Sequence, residues 1–192
     1  MKGETDAGDD EIERLRRDVR YLMDRVAILD CIAGHARGHD RHDLDLMAAA
    51  FHDDGVDEHG VAVNAGAEYG EWANRMHSRA AQAHLHNITT HTCEVDGDVA
   101  HAESYVLVGL LSPDGATTTL LGGRYIDRLE RRDGGWKIVV RRSTAEMIGT
   151  ADASMLRSKF FTAQAFLKGT WDRRDLSYER PLRIDSDAPD RW

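Results

Sequence analysis

From Ile12 onward, apolar residues recur at alternating steps of three and four: Ile12, Leu15, Val19, Leu22, Val26, Leu29, Ala33 and Ala36. That rhythm is the buried stripe of a long amphipathic helix, predicted over residues 11–37. One further step of four lands on Asp40. A carboxylate on a core-seeking face is costly without a hydrogen-bonding or charged partner. Either the helix stops first, as Gly34 and Gly38 would permit, or Asp40 is delivered into an interior cavity, and the cavity is the reading taken. The first half of the stripe, residues 12–26, keeps heptad spacing with charges between. It suits a neighbouring subunit as well as the chain's own sheet.

Downstream the pattern predicts a helix over residues 43–51, with Asp43 as N-cap and Leu44, Met47 and Phe51 along one side. A short strand at 56–59 and a third helix at 67–83 follow, the helix presenting Tyr69, Trp72, Ala73 and Met76. The period then changes from helical to alternating. Strands are predicted at 84–95, 99–111, 117–131 and 136–148, punctuated by Asp96-Gly97-Asp98, Ser112-Pro113-Asp114-Gly115 and an Arg-Arg-Asp-Gly-Gly turn. Three helices before four antiparallel strands define an α+β fold, helices packed on one side of a curved sheet. Residues 1–9 read as a disordered leader, with Asp9 or Asp10 as the helix cap, and 10–150 as one domain. Residues 151–192 read as a helix capped by Asp152 or Ser154, ended by Gly169 and followed by a charged tail. Phe160 and Phe161 could close the mouth of a cavity there.

A net charge of -9 argues against nucleic acid, which demands a basic footprint. The longest apolar run, at 105–111, is far too short to span a bilayer. The acidic N-terminus is unlike a secretory signal, so a cytoplasmic location is expected. Cys31 and Cys93 suggest neither a disulfide framework nor a metal site.

Histidine is the compositional outlier: ten are present, most of them between His35 and His86. His84 and His86, two apart on a strand, project from one face, and His91 has the opposite parity. If the sheet closes over the end of the first helix, Asp40 meets one of these imidazoles across a pocket. A carboxylate fixes the tautomer of an imidazole and raises its basicity, making a general acid–base device. The bland reading is a surface acid and a satisfied core histidine. His35 and His39, four apart on a helix, could ligate a metal with His84 and His86, but glycines make that helix end a poor platform. No nucleophile elbow, phosphate-cradling loop or dinucleotide fingerprint is present.

The strings DRVAILDCIAGHARGHDRHDLDLMAAAFHDDGV, HLHNITTH and LGGRYIDRLERRDGGWKI, in that order, resemble the SnoaL-like branch of the nuclear transport factor 2-like superfamily. The resemblance implies a cone of three helices around a curved antiparallel sheet. Within the superfamily the chain is most similar to the group of scytalone dehydratase, bile-acid 7α-dehydratase and hexachlorocyclohexane dehydrochlorinase. It implies Asp40 and His86 as the catalytic pair, with His35 and Arg141 touching substrate and neither metal nor cofactor. Trp72 and His84 are expected to line the same pocket. The paired active-site tyrosines of scytalone dehydratase have no clear match. The expectation is a lyase or isomerase, dehydration preferred, acting on a small apolar polyketide-, steroid- or terpenoid-like molecule in a homodimer or homotrimer. The alternatives are a non-catalytic ligand-binding or subunit-interaction protein and a biosynthetic cyclase.

Overall fold

The computed structural model describes residues 4–184 and 190–192. Helix α1 spans Glu4–Arg41, α2 Leu44–Ala49 and α3 Gly66–Ala80. Six strands follow one another as β1 Phe51–His59, β2 Ala62–Ala65, β3 Ala83–Asp96, β4 Val99–Leu111, β5 Thr117–Arg132 and β6 Gly135–Asp152. They form one sheet in the order β2-β1-β6-β5-β4-β3, antiparallel except for the β1–β6 pair. This is the expected curved sheet with helices on one face, plus the strand β2, which the sequence reading missed.

Helix α1 runs longer than predicted at both ends. It begins at Glu4, inside the stretch expected as a leader, and residues 1–3 lie outside the described residues. It also passes through Gly34 and Gly38 without stopping. Gly38 serves packing: a Cβ there would come within 2.8 Å of Met47 Cγ and 3.0 Å of the Met47 nitrogen, so only glycine lets α2 sit this close.

The buried stripe is corrected too. Ile12, Leu15, Val19, Leu22 and Val26 are all exposed, because the first half of α1 has no sheet beneath it. The face that enters the core is Ile28, Ile32, His35, Ala36, His39 and Asp40. Attachment begins at Asp24, whose carboxylate accepts from Trp136 Nε1 at 2.9 Å and Arg131 at 2.7 Å. From there Ile28 and Ile32 pack against Phe51, Val106, Leu129, Trp136 and Ile138.

Asp43 caps α2 as expected, its Oδ1 accepting from Leu46 N at 3.2 Å. Phe51, predicted at the end of that helix, instead opens β1. The parity of His91 is corrected by a bulge between Ile88 and His91 in the β3–β4 ladder. The bulge returns His91 to the concave face, where its Nδ1 lies 2.8 Å from Ser104 Oγ. Cys31 and Cys93 are free.

After β6 the expected helix is two short pieces, a 3-10 turn at Ser154–Arg157 and a single turn, α4, at Lys159–Thr162. Phe160 is exposed and Phe161 packs on Phe166 and Trp192, so neither closes the cone. The charged segment beyond Gly169 folds back as a strap over the α1–α2 junction. Arg41 donates to the Thr170 carbonyl at 3.0 Å, Tyr178 donates to Asp43 at 2.6 Å, and Arg37 donates to Ser177 Oγ at 3.2 Å. Two charges of the expected tail join these clamps, Asp175 at 3.4 Å from Arg41 and Arg173 at 3.3 Å from Asp43.

Candidate active site

Asp40, in the last turn of α1, and His86, on β3, are brought together. Both carboxylate oxygens accept the His86 backbone N–H at 3.0 Å, and Oδ1 lies 2.8 Å from His86 Nδ1. A carboxylate can only accept, so Nδ1 carries the proton and Nε2 keeps the lone pair. Burial works to raise the Asp40 carboxyl, but His84 and the bonds from His86 outweigh it and hold the group below its ordinary value. Burial pushes His86 down in spite of Asp40, so the imidazole is neutral at neutral pH. Its Nε2 therefore carries a free lone pair.

The expected interior cavity is corrected to a cleft. Asp40 and His86 line a cavity of about 420 Å³ between α1 and β3, together with Ala33, Ala36, Arg37, Ile88 and Ser177 of the strap. The interior of the cone is packed instead. There Arg141, opposite Asp127 in the β5–β6 ladder, donates from Nε and Nη2 to the two Asp127 oxygens at 2.7 Å each. Its Nη1 lies 2.8 Å from His35 Nδ1, and the Tyr125 ring sits 4.1 Å from the guanidinium carbon. Arg141 and His35 have no exposed surface. Their expected contact with a guest gives way to contact with each other and with Asp127. Cross-strand spacing could have suggested Asp127, but only the β5–β6 register singles it out.

Trp72 is half-buried beside Tyr69 and His59, at ring-centroid distances of 5.7 and 6.0 Å, away from the dyad. His84 stands beside it: its Nδ1 is 3.4 Å from Asp40 Oδ1, and its Nε2 is 3.0 Å from His42 Nε2. The sequence reading missed His42, His77, Trp171 and the catalytic-side packing of His39. His39 is buried against His86 and Tyr69, with ring centroids 4.7 and 5.2 Å away. The clustering of histidines was the available signal, but nothing in sequence tells which of them converge.

An α+β cone with a carboxylate at the end of its first helix, bonded to an imidazole on the sheet, is the arrangement that the resemblance implied. The profile of the SnoaL-like domain matches residues 20–142, and the chain belongs to that family. Among solved structures it is similar to hexachlorocyclohexane dehydrochlorinase LinA-type3 from Novosphingobium barchaimii, at 23% identity and a TM-score of 0.64, covering 70% of this chain and 94% of that one. A putative scytalone dehydratase from Novosphingobium aromaticivorans matches at 21% identity and a TM-score of 0.60, over 69% and 89% of the two chains. A protein of unknown function from Mycobacterium tuberculosis matches at 29% identity and a TM-score of 0.59, over 66% and 74%. These likenesses establish the fold. No curated protein matches the chain in sequence. Among the described residues no helix is long and apolar enough to cross a membrane.

Proposed function

We propose that the chain is a cofactor-independent lyase or isomerase, with dehydration the preferred reaction. The observation that carries this reading is the 2.8 Å bond between Asp40 and His86 Nδ1 at the wall of the cleft. His86 Nε2 takes a proton from a carbon next to an activating group. Asp40 holds the ring and stabilises the imidazolium. In a β-elimination the electron pair of the broken C–H bond forms the new double bond, and a hydroxyl leaves as water with the proton returned by His86. The names of the dehydrochlorinase and the putative scytalone dehydratase support an elimination. The apolar side of the cleft, Ala33, Ala36 and Ile88, suits a small, largely apolar guest such as a polyketide-, steroid- or terpenoid-like molecule. Arg37 takes the place expected of Arg141 as a cation beside the leaving oxygen. A cytoplasmic homo-oligomer belongs to the same reading.

The test is proton exchange at carbon. Small cyclic ketones and β-hydroxy carbonyl compounds are incubated with the protein in deuterium oxide and followed by NMR. Exchange or elimination that vanishes in Asp40→Asn and His86→Ala, both still folded, is the expected result. Retained turnover in either variant refutes the assignment. The second reading, a non-catalytic binding protein, draws on the packed cone interior around Arg141. It is favoured if ligands bind the cleft without any exchange. A cyclase would instead give ring-closed product with the same dependence on His86.

A further inference from the structure

Three imidazoles from three elements converge beside the dyad: His42 after α1, His77 on α3 and His84 on β3. One ring nitrogen of each lies within 4.8 Å of the others. The closest approach is 3.0 Å between the Nε2 atoms of His42 and His84, and the His77 and His84 ring centroids are 4.3 Å apart. Two ligand nitrogens of a tetrahedral zinc ion, each about 2.0–2.1 Å from the metal, stand roughly 3.3 Å apart. The buried nitrogens His77 Nδ1 and His84 Nδ1 make no hydrogen bond.

We infer that His42, His77 and His84 form a three-histidine site for a zinc-type divalent cation. The sequence reading expected no metal and weighed His35 and His39 with His84 and His86, because nothing along the chain links residues 42 and 77 to residue 84. The second layer fits the assignment. Asp40 Oδ1 lies 3.4 Å from His84 Nδ1, on the side of the ring away from the Nε2 that faces His42. Trp171 stacks on His42 at 4.2 Å and 15°, holding that ring in place. His42 itself is in the left-handed region at φ 49°, just past the end of α1.

Among the described residues two other trios are near enough to compete: His39, His77 and His86, and Asp40, His84 and His86. Both would take His86 from the dyad. The chosen trio leaves the dyad whole, and its His42 lines a cavity of about 370 Å³ beneath the strap with Trp171 and Tyr178. Three protein ligands leave a fourth position for water or an anionic group arriving from that cavity. The inference does not rest on the elimination reading, and its readouts are independent of turnover.

The full chain, stripped with a chelator, is titrated with zinc by calorimetry and with cobalt by visible absorption. One equivalent should bind, give tetrahedral cobalt bands and raise the melting temperature. His77→Ala and His42→Asn should each lower affinity at least about tenfold, as loss of one ligand or its support does. Asparagine tolerates the left-handed backbone, so His42→Asn keeps the fold while removing the ligand. His101→Ala, remote from the trio, should bind as the parent does. No saturable binding by the parent overturns the site. So does unchanged binding in His42→Asn, or binding lost only on changing His39 or His86.

A second, independent observation concerns the exposed half of α1. Ile12, Val19 and Val26 fall on one heptad position and Leu15, Leu22 and Leu29 on the other, all partly or largely exposed. β-Branched residues at a with leucine at d favour a parallel two-stranded coiled coil. In that register Glu11 faces Arg16 across the seam, and Arg25 faces Asp30. Both pairings are attractive. We propose that a second copy of this chain covers the stripe, helix against helix. Sedimentation should show a dimer that becomes monomeric in Leu15→Glu/Leu22→Glu. Glu11→Arg should weaken it, and adding Arg16→Glu should restore it. A monomeric parent, or an oligomer indifferent to these changes, overturns the proposal.

Discussion

Two polar clusters draw on neighbouring turns of α1, one through Asp40 and one through His35, and behave oppositely. Asp40 and His86 meet at the edge of the cone, where α1 leaves β3, and line a cleft. His35, Arg141 and Asp127 meet at its centre and are sealed. Each combines a charged group with an imidazole at 2.8 Å, so hydrogen bonding alone does not distinguish them. Access does. The sealed, bidentate Arg141–Asp127 pair ties β5 to β6, whereas a group that borders a cleft can be reached by a guest.

The comparison breaks most sharply on stability. Asp127→Ala strands a buried guanidinium and should cost about 3–5 kcal/mol, read as a large drop in denaturant midpoint. Asp40→Asn, at the cleft, should leave the midpoint close to the parent's, because an amide oxygen can still accept the His86 N–H. Equal losses from the two substitutions would erase the distinction.

The next effect is on chemistry. His86→Ala should lower exchange or elimination by about 10²–10⁴-fold, the ordinary worth of a positioned acid–base group. Asp127→Asn, if folded, should change the rate far less. A rate equally sensitive to both would place the centre of the cone in the reaction.

A third test uses pH. His35 and His39 are buried as neutral rings, and burial holds both well below the ordinary histidine value. Their folded-state values lie below the unfolded one, so their stabilising contribution is complete above about pH 6.5 and is lost as pH falls through that point. Chemical denaturation in the presence of a chelator should show stability declining from about pH 6.5 downward. His39→Phe should flatten the decline, and an unchanged slope would show that His39 is not buried neutral.

The smallest expected effect concerns the strap. Tyr178→Phe removes the 2.6 Å bond to Asp43 and should cost about 1 kcal/mol. Hydrogen exchange in residues 170–179 should quicken while the core stays protected. Equal loosening of the core would show the strap to be part of the main cooperative unit.

Local signals were enough for most of the frame. Period changes, the Asp43 cap and the glycine turns located α2, α3 and four strands to within a few residues, because each rests on neighbours in sequence. The same signals failed where a distant partner decided. The stripe at residues 12–26 has perfect helical spacing, yet no sheet lies beneath it. Gly38 looked like a stop until Met47 packed against it. His91 counted as outward-facing until the bulge after Ile88 reversed it.

The candidate site divides the same way. A stepping pattern pointed at Asp40, and family likeness pointed at His86, so that pair was legible. The sealing of Arg141, the convergence of His42, His77 and His84, and the return of the strap depend on residues far apart in the chain. Sequence alone determined the elements, the carboxylate at the helix end and the surplus of imidazoles. Only the tertiary structure decided which of those groups meet and which can be reached, because burial and contact are set by strand register and helix docking rather than by spacing along the chain.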